Sequence, residues 1–194
     1  MVIPSGLLDA VHDTQQTFRV LLNALAYPGQ IQTIPIHLSE PDELSSACAA
    51  ACLTLFDLET HIWVSGISEV SRQWLVFHTG CQFTEQPEAA DFALVVLAAG
   101  LPDLGCFNWG HGESPESSAT LLLVTEGLTG GSPKTLKGPG IAEHIRVTPR
   151  VPDRFWSQWC QNQQAYPLGI DAYLFGGASC IGLPRTVAVL ETSP

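Results

Sequence analysis

Two uninterrupted apolar runs constrain the fold of this chain more than any other feature. Residues 90–100 read ADFALVVLAAG, and residues 119–126 read ATLLLVTE. A strand with one wet face alternates apolar and polar residues, whereas a strand covered on both faces reads as a continuous apolar run. Both runs are shorter than the roughly 18 residues that cross a bilayer. They therefore predict neighbouring buried strands in a sheet that carries helices on both faces.

Segments with helical spacing flank these strands. Apolar residues recur every three or four positions from Leu7 to Leu25, with Ser5 as the predicted N-cap and Pro28 as part of the stop signal. Further helices are predicted from residue 39, in SEVSRQWLVFH, and from Pro152 to the proline at 167. Shorter strands are predicted at QIQTIPIHL, on a sheet edge, and at THIWV, AEHIRV, DAYLF and RTVAVLE.

The alternation of helices and strands indicates the architecture. It is typical of an α/β protein, and we expect a three-layer α/β/α sandwich around a mixed sheet. The length of 194 residues fits one domain, residues 1–194. The last residues, ETSP, are predicted to fray.

The charge composition excludes some partners and favours others. The chain has 19 acidic and 8 basic residues, and a formal net charge of -11. Nucleic-acid binding through about six to ten phosphate contacts would need nearly all the basic residues on one face. Anionic membranes are disfavoured for the same reason. Only 14% of residues are charged, which predicts either apolar exterior covered by a partner or a large core.

Cysteine spacing and the N-terminus bear on compartment and metal content. The six cysteines contain no C-x-x-C pair, and Cys48 and Cys52 have no second spaced pair to complete a zinc site. We expect buried free thiols and no metal. The first residues lack the basic segment of a signal peptide, so a cytoplasmic location is predicted.

The stretch KTLKGPGI, residues 134–141, raises the question of phosphate binding. A Walker loop places its lysine after the glycines and follows it with Ser or Thr, but here Lys137 precedes Gly138 and Gly140. A structural turn is the favoured interpretation, although its backbone amides could still accept an anion. Neither Lys134 nor Lys137 has the surroundings of a pyridoxal phosphate lysine, because both are predicted to lie in a Gly/Pro turn.

Three other places carry candidate chemistry. In FHTGCQF, His78 could activate Cys81 as a nucleophile, although a histidine at a helix C-terminus is the favoured interpretation. Arg185 in LPRT suits a phosphate or carboxylate, and it could equally pair with an acid across a subunit boundary. The loop WGHGESPESSAT offers His111 and two glutamates for metal or base chemistry, but a solvated loop is favoured.

Seven short segments occur in a characteristic order: LLNALAYPG, WLVFHTGC, ADFAL, PESSATLLL, LKGPGI, YPLGIDAYL and LPRT. Together they resemble the H subunit of carbon–phosphorus lyase, the bacterial machinery that degrades phosphonates. The resemblance extends from Phe18 to Thr186.

This resemblance implies a fold like the large domain of pyridoxal phosphate-dependent transferases, without the cofactor or its lysine. It also implies a homodimer that joins the G, I and J subunits. With the G, I and L subunits, such chains are required to transfer the ribose triphosphate of ATP to an alkyl phosphonate, releasing adenine. No catalytic residue is assigned within the family's H subunit.

Two alternatives stay open beside the subunit hypothesis. One is a small free-standing enzyme that uses Lys137 or the His78–Cys81 pair. The other is a phosphonate- or nucleotide-binding module without catalysis. The candidate ligand contacts common to these hypotheses are Lys137, Gly138, Gly140, Arg185 and His78.

Overall fold

The structure, a computed structural model, describes residues 5–190, so the predicted frayed tail at 191–194 lies outside the described residues. Within this range the α-helices are α1 (Ala10–Ala26), α2 (Ser46–Leu55), α3 (Glu69–Thr79) and α4 (Asp153–Gln164). The strands of the larger sheet are β1 (Gln32–Thr33), β2 (His61–Ser65), β3 (Gln82–Phe83), β4 (Phe92–Val96), β5 (Thr120–Val124), β8 (Asp171–Gly176) and β9 (Ser179–Leu183). A smaller sheet contains β6 (Lys134–Lys137), β7 (Ile145–Val147) and β10 (Ala188–Leu190).

The larger sheet is mixed, which confirms the predicted α/β class. Its strand order is β1-β9-β8-β5-β4-β2-β3, and the five strands from β8 to β3 are parallel. Strands β9 and β1 extend it in antiparallel orientation. β1 lies at an edge, as the proline in its vicinity predicted. The smaller sheet is antiparallel, in the order β10-β6-β7.

The two apolar runs form paired central strands. β4 and β5 lie side by side in parallel register, with Leu94 opposite Leu122. These two leucines belong to one core cluster, while alternate residues such as Ala93 and Leu123 belong to another. Both faces of the strands are therefore covered by apolar side chains, as the uninterrupted runs predicted.

The first core cluster holds three helices against the sheet. Helix α2 reads SACAAACLTL, and its residues from Ala47 to Cys52 are buried. Alanine and cysteine side chains are short, so the helix backbone can lie close to the strands on one side and to α1 on the other. Leu21 of α1 and Trp74 of α3 complete this layer.

The second core cluster lies on the opposite face and contains α4 and the smaller sheet. Phe155 and Trp159 of α4 stack with ring centroids 5.8 Å apart. The indole of Trp159 donates to the carbonyl of Val187, next to β10, at 3.0 Å. Leu136 of β6 is buried in the same cluster. The smaller sheet is thus attached to the main body through α4.

Several boundaries differ from the sequence expectations for physical reasons. Helix α1 begins after Asp9, whose carboxylate accepts from the amides of Val11 and His12, so the predicted cap at Ser5 was wrong. Helix α2 begins at Ser46 with Ser45 as its cap, several residues after the predicted start. Both true caps have side-chain acceptors that satisfy free amides in the first turn.

Three strands were misplaced or missed, and one of them, β3, is only two residues long. Lys134 and Lys137 were expected in a turn, but they begin and end strand β6. Strand β9 was not predicted, since SCIGL contains a glycine. That glycine, Gly182, lies against the backbone of α1, where a Cβ would collide with Ala24. The glycine lets α1 pack closely on β9. A search for apolar strand residues does not detect such a strand.

Candidate functional site

Arg185 lies at the centre of a polar network at the amino ends of two parallel strands. Its Nη2 donates to Asp171 Oδ2 at 2.7 Å and to Ser118 Oγ at 2.6 Å. Its Nε donates to Asp171 Oδ1 at 3.2 Å, and its backbone amide donates to the same oxygen at 2.7 Å. Asp171 is the first residue of β8, and Ser118 precedes β5. The fork of the guanidinium therefore binds one carboxylate bidentately.

The other nitrogen of this guanidinium bonds to two loops. Nη1 donates to the carbonyl of Pro115 at 2.7 Å and to that of Pro167 at 3.5 Å. An arginine side chain has five N–H donors, and each of those of Arg185 has an acceptor within the chain. The side chain is only 13% exposed. These contacts favour a structural clamp, so the ligand role of Arg185 stays a prediction without a free donor to support it.

The loop at residues 109–120 takes part in the clamp. Its carbonyl at Pro115 and its hydroxyl at Ser118 both accept from Arg185. His111 lies on the exposed surface, with Nδ1 3.4 Å from Ser117 Oγ. Across residues 5–190, no group of three or more His, Cys, Asp or Glu side chains is arranged to hold a metal ion.

Lys137 occupies a contrasting position on the smaller sheet. It is the last residue of β6, it is exposed, and it lines an open depression of about 470 Å³. Ile141, Glu143, His144 and Leu190 form other parts of the wall. No carboxylate within residues 5–190 forms an ion pair with its ammonium. The ammonium of Lys137 is therefore available to an anionic ligand.

The glycines beside Lys137 are explained by packing. Gly140 has φ +81°, and a Cβ there would collide with the carbonyl oxygen of Ala26 at the end of α1. A Cβ at Gly138 would lie 3.1 Å from the carbonyl oxygen of Thr186. Ile141 closes the turn by donating its amide to Gly138 at 3.1 Å. The turn thus fastens the smaller sheet to α1, which supports the structural interpretation of GPG.

The two lysines of β6 have different surroundings. Lys134 Nζ lies 3.0 Å from Asp153 Oδ1 in the first turn of α4. Because neighbouring strand residues point to opposite faces, Lys134 shares the face of buried Leu136 and Lys137 lies on the other. Lys134 is tied to its own chain, so only Lys137 faces the depression.

His78 and Cys81 flank the end of α3. His78 lies in the last turn, where its ring packs 4.9 Å from that of Trp74, and Gly80 supplies the left-handed C-cap. Cys81 is buried, and burial raises the pKa of its thiol above the ordinary value. A raised pKa disfavours the thiolate that a nucleophile needs. The pair stays a prediction that the surroundings of the thiol do not support.

The usual ligand position of a parallel α/β sheet is filled by the chain. Ligands commonly bind at the carboxyl ends of strands where the strand order reverses, which here lies between β2 and β4. A Cβ at Gly66, directly after β2, would lie 2.6 Å from the Cβ of Ala99. The short 3₁₀ turn Leu97–Ala99 therefore closes this position from the β4 side.

The residues that sequence reasoning missed are Asp171, Ser118 and Asp153, the acceptors that engage the chain's own cations. Asp171 was visible as a lone acid at the start of the predicted strand DAYLF, whose other residues are apolar, and a carboxylate that becomes buried there needs a partner. Ser118 and Asp153 gave no comparable signal. In the described part of the chain no helix has the length and apolar character to cross a membrane.

Comparison with known proteins places the chain in a family. The family model described as "Bacterial phosphonate metabolism protein (PhnH)" matches residues 5–190. The chain is 36% identical over 188 residues to "Alpha-D-ribose 1-methylphosphonate 5-triphosphate synthase subunit PhnH" of Rhizobium meliloti (strain 1021), covering 95% of this chain and 94% of that protein. It is 28% identical over 181 residues to "Putative C-P lyase subunit protein HtxG" of Stutzerimonas stutzeri, covering 90% and 85%.

The two relatives carry names from the same machinery that the ordered motifs indicated, so the resemblance stated from the sequence is confirmed. The matched region includes the Arg185 clamp and the Lys137 depression. The chain belongs to the PhnH family of bacterial phosphonate metabolism proteins.

Proposed function

We propose that this chain is a subunit of the assembly that synthesises an α-D-ribose 1-alkylphosphonate 5-triphosphate during phosphonate breakdown. The observation that carries the proposal is the 36% identity to a named subunit of that synthase over nearly the full length of both chains. The similarity to a putative carbon–phosphorus lyase subunit supports the same pathway. In this reaction a phosphonate oxygen bonds to the anomeric carbon of ATP, and adenine leaves.

The role of this chain within the assembly is structural or co-catalytic. The thiols of Cys81 and Cys180 are buried, which raises the pKa of Cys180 to about 12. The Arg185 guanidinium has no free donor. Groups of this kind stabilise a fold, and they do not transfer protons near neutral pH. We therefore assign no catalytic residue to this chain.

Lys137 is the proposed contact with a phosphorylated ligand. Its ammonium is exposed and has no ion-pair partner in residues 5–190, and it lines the depression together with Gly138. A triphosphate offers several negative charges to a lysine in this position. Gly140 shapes the turn, and the roles of Arg185 and His78 as ligand contacts are not part of this proposal.

The apolar outer face of α1 supports the proposed homodimer. Val11, Phe18 and Leu22 of α1 are exposed, and Phe18 is 46% exposed. They recur at spacings of seven and four residues, which aligns them on one face of the helix. A stripe of this kind can pack against its own copy across a two-fold axis. Phe18→Glu is expected to convert the dimer to a monomer in light scattering.

The partners proposed beyond the second copy are the G, I, J and L subunits. The finer fold proposal is an α/β/α layering like the large domain of pyridoxal phosphate-dependent transferases, without the cofactor. Helices α1 to α3 on one face and α4 on the other support it. The cytoplasmic location is proposed with the pathway, and cell fractionation tests it.

Reconstitution tests the subunit role. The chain is mixed with purified G, I and L subunits, ATP and methylphosphonate, and adenine release is measured. We expect adenine only when this chain is present, and the chain alone should release none. Unchanged release in the mixture that lacks this chain contradicts the proposal, as does adenine release by this chain alone.

The available ammonium of Lys137 also favours a second candidate, a nucleotide- or phosphonate-binding module. This candidate predicts that the isolated chain binds ATP or methylphosphonate. Calorimetry at millimolar ligand separates the two ideas: heat from the isolated chain, absent in Lys137→Ala, supports the module. Heat only after the G and I subunits are added supports the subunit role.

A further inference from the structure

An apolar groove lies between α3 and β3. β3 is one edge strand of the larger sheet, and β1 is the other. It has a volume of about 460 Å³ and is lined by Val76, Phe77 and Phe83 with Glu69, Arg72 and Gln73. Phe77 is 66% exposed and Val76 is 44% exposed. Two large apolar side chains are therefore exposed next to each other on this face.

Two further exposed apolar side chains lie near the two ends of α3. Leu58, which is 71% exposed, lies over the end of α3 and is so close to Gly80 that a Cβ there would collide with it. Val70 adds a further exposed side chain on the first turn of α3. Several exposed apolar residues on one element mark an interaction site more often than isolated exposed leucines do.

Arg72 gives the groove a specific charge. Its guanidinium lies 5.0 Å above the centre of the Phe83 ring. No carboxylate within residues 5–190 forms an ion pair with it, and the nearby Glu69 accepts instead from Gln73 Nε2 at 3.2 Å. The chain has 19 acidic residues for 8 basic ones. An unpaired arginine beside apolar side chains can pair with a carboxylate from another molecule.

The backbone of β3 offers hydrogen bonds on the same side. The amides of Gln82 and Thr84 donate to Thr60 and Ile62, so they point toward β2. Because N–H and C=O groups alternate in direction along a strand, both backbone groups of Phe83 point away from the sheet. β3 is the last strand in the order and has no neighbour on that side in the described structure. An extended segment can add there as a further strand.

We infer that this groove binds an extended segment of a sister subunit of the synthase, and that the segment carries a large apolar side chain and a carboxylate. The apolar side chain packs between Phe77 and Phe83, the carboxylate pairs with Arg72, and the backbone pairs with Phe83. This inference rests on the proposed function, since it assigns a binding surface to the assembly.

The chemistry of the groove distinguishes its occupant from a second copy of this chain. The outer face of α1 presents the exposed apolar side chains of Val11, Phe18 and Leu22, which can pack against the same face of a second copy. The groove instead combines a free cation, an open strand edge and a cleft. Such an asymmetric set needs a partner with different chemistry.

The test uses this chain co-expressed with the G and I subunits and compares three variants in native mass spectrometry. Phe77→Glu and Arg72→Glu are expected to lower the affinity for the sister subunits by about tenfold or more. Arg154→Glu is the matched control, because it makes the same charge change at an exposed position of α4, and it is expected to assemble normally. Circular dichroism and thermal unfolding establish that each variant is folded.

Hydrogen exchange on the wild-type assembly gives an independent readout that needs no variant. The amide of Phe83 and its neighbours are expected to exchange more slowly in the assembly than in the isolated chain. Normal assembly of both groove variants, or protection elsewhere with none at β3, overturns the inference and leaves the subunit role standing.

Two further outcomes also overturn it. If Phe77→Glu changes the isolated chain from dimer to monomer, the occupant is a second copy. If the wild-type chain does not associate with the G and I subunits at all, the proposed function fails, and the inference fails with it.

Discussion

Arg185 and Lys137 were both candidate ligand contacts in the sequence, Arg185 beside a predicted strand in LPRT and Lys137 beside the turn in KTLKGPGI. In the folded chain they differ completely. Arg185 is largely buried and has an acceptor for every side-chain donor, whereas Lys137 is exposed and has no ion-pair partner in the described residues. The local motif around a cation therefore does not decide whether that cation is free to bind a ligand. The acceptors that distant parts of the chain bring to it decide this.

The physical basis of the difference is desolvation. A guanidinium taken out of water must regain the lost hydrogen bonds, so a buried arginine is found with a complete set of acceptors. The loops before β5 and β8 converge at the amino edge of the sheet and supply that set. An exposed lysine keeps its water and needs no partner from the chain. A structural clamp therefore needs a buried cation whose donors are all bonded, whereas a ligand contact needs an exposed cation with free donors.

The largest expected effect comes from removing the centre of the clamp. Arg185→Met leaves the Asp171 carboxylate, itself only 23% exposed, without its bidentate partner. Breaking a buried pair on one side costs about 3 kcal/mol or more, and the partial exposure here favours the lower end. Urea denaturation measures the loss of unfolding free energy. The exposed Arg154→Met serves as control and should change it by less than about 0.5 kcal/mol.

If Arg185→Met instead unfolds at the wild-type urea concentration while adenine release is lost, the side chain acts on the ligand and the clamp interpretation is wrong. Arg185 would then be a ligand contact, as Lys137 is proposed to be.

The next effect concerns the turn that holds the Lys137 side of the molecule. Gly140→Ala forces a side chain into the left-handed region at φ +81° and against the carbonyl of Ala26. We expect a loss of about 2 kcal/mol of unfolding free energy, combining strain with the collision. Two other glycines separate strain from collision. Gly177 has a positive φ but no atom within 4 Å of an added Cβ, and Gly112 has neither a positive φ nor such an atom.

Gly177→Ala should therefore destabilise by about 1 kcal/mol and Gly112→Ala by almost nothing. Equal effects at Gly140 and Gly177 would mean that the contact with Ala26 contributes nothing, and that the turn is not fastened to α1.

A smaller effect is expected at the rim of the clamp. Ser118→Ala removes one of the acceptors of Arg185 Nη2, whose other bond goes to Asp171. The loss should be about 1 kcal/mol, because one donor of a charged group loses its partner while water can still approach. Chemical denaturation in the Arg185→Met background tests the assignment. The Ser118 effect should vanish there, and a persistent effect would show that the hydroxyl acts through something other than Arg185.

The sequence predicted the parts of this comparison that depend on local pattern. The runs at 90–100 and 119–126 predicted buried strands because their periodicity reports burial, and GPG predicted a turn because its residues set the backbone angles. It could not predict that Pro115, Ser118 and Asp171 meet at one guanidinium, because they approach through the strand order. Strand β9 was missed for a related reason, since its glycine serves a contact with α1 that is distant in sequence.

The smallest effect on stability, and the sharpest test of the comparison, comes from Lys137 itself. Lys137→Ala should change the unfolding free energy by less than about 0.5 kcal/mol, because the side chain is exposed and unpaired in residues 5–190. In the reconstituted synthase we expect about a tenfold higher apparent KM for ATP, since one charged contact to the triphosphate is lost. Lys134→Ala is the matched control on the same strand. It breaks only the pair with Asp153, so it should lower stability slightly and leave the KM unchanged. Equal KM values for both variants would mean that an available cation is not sufficient for binding, and that the depression beside β6 serves another purpose.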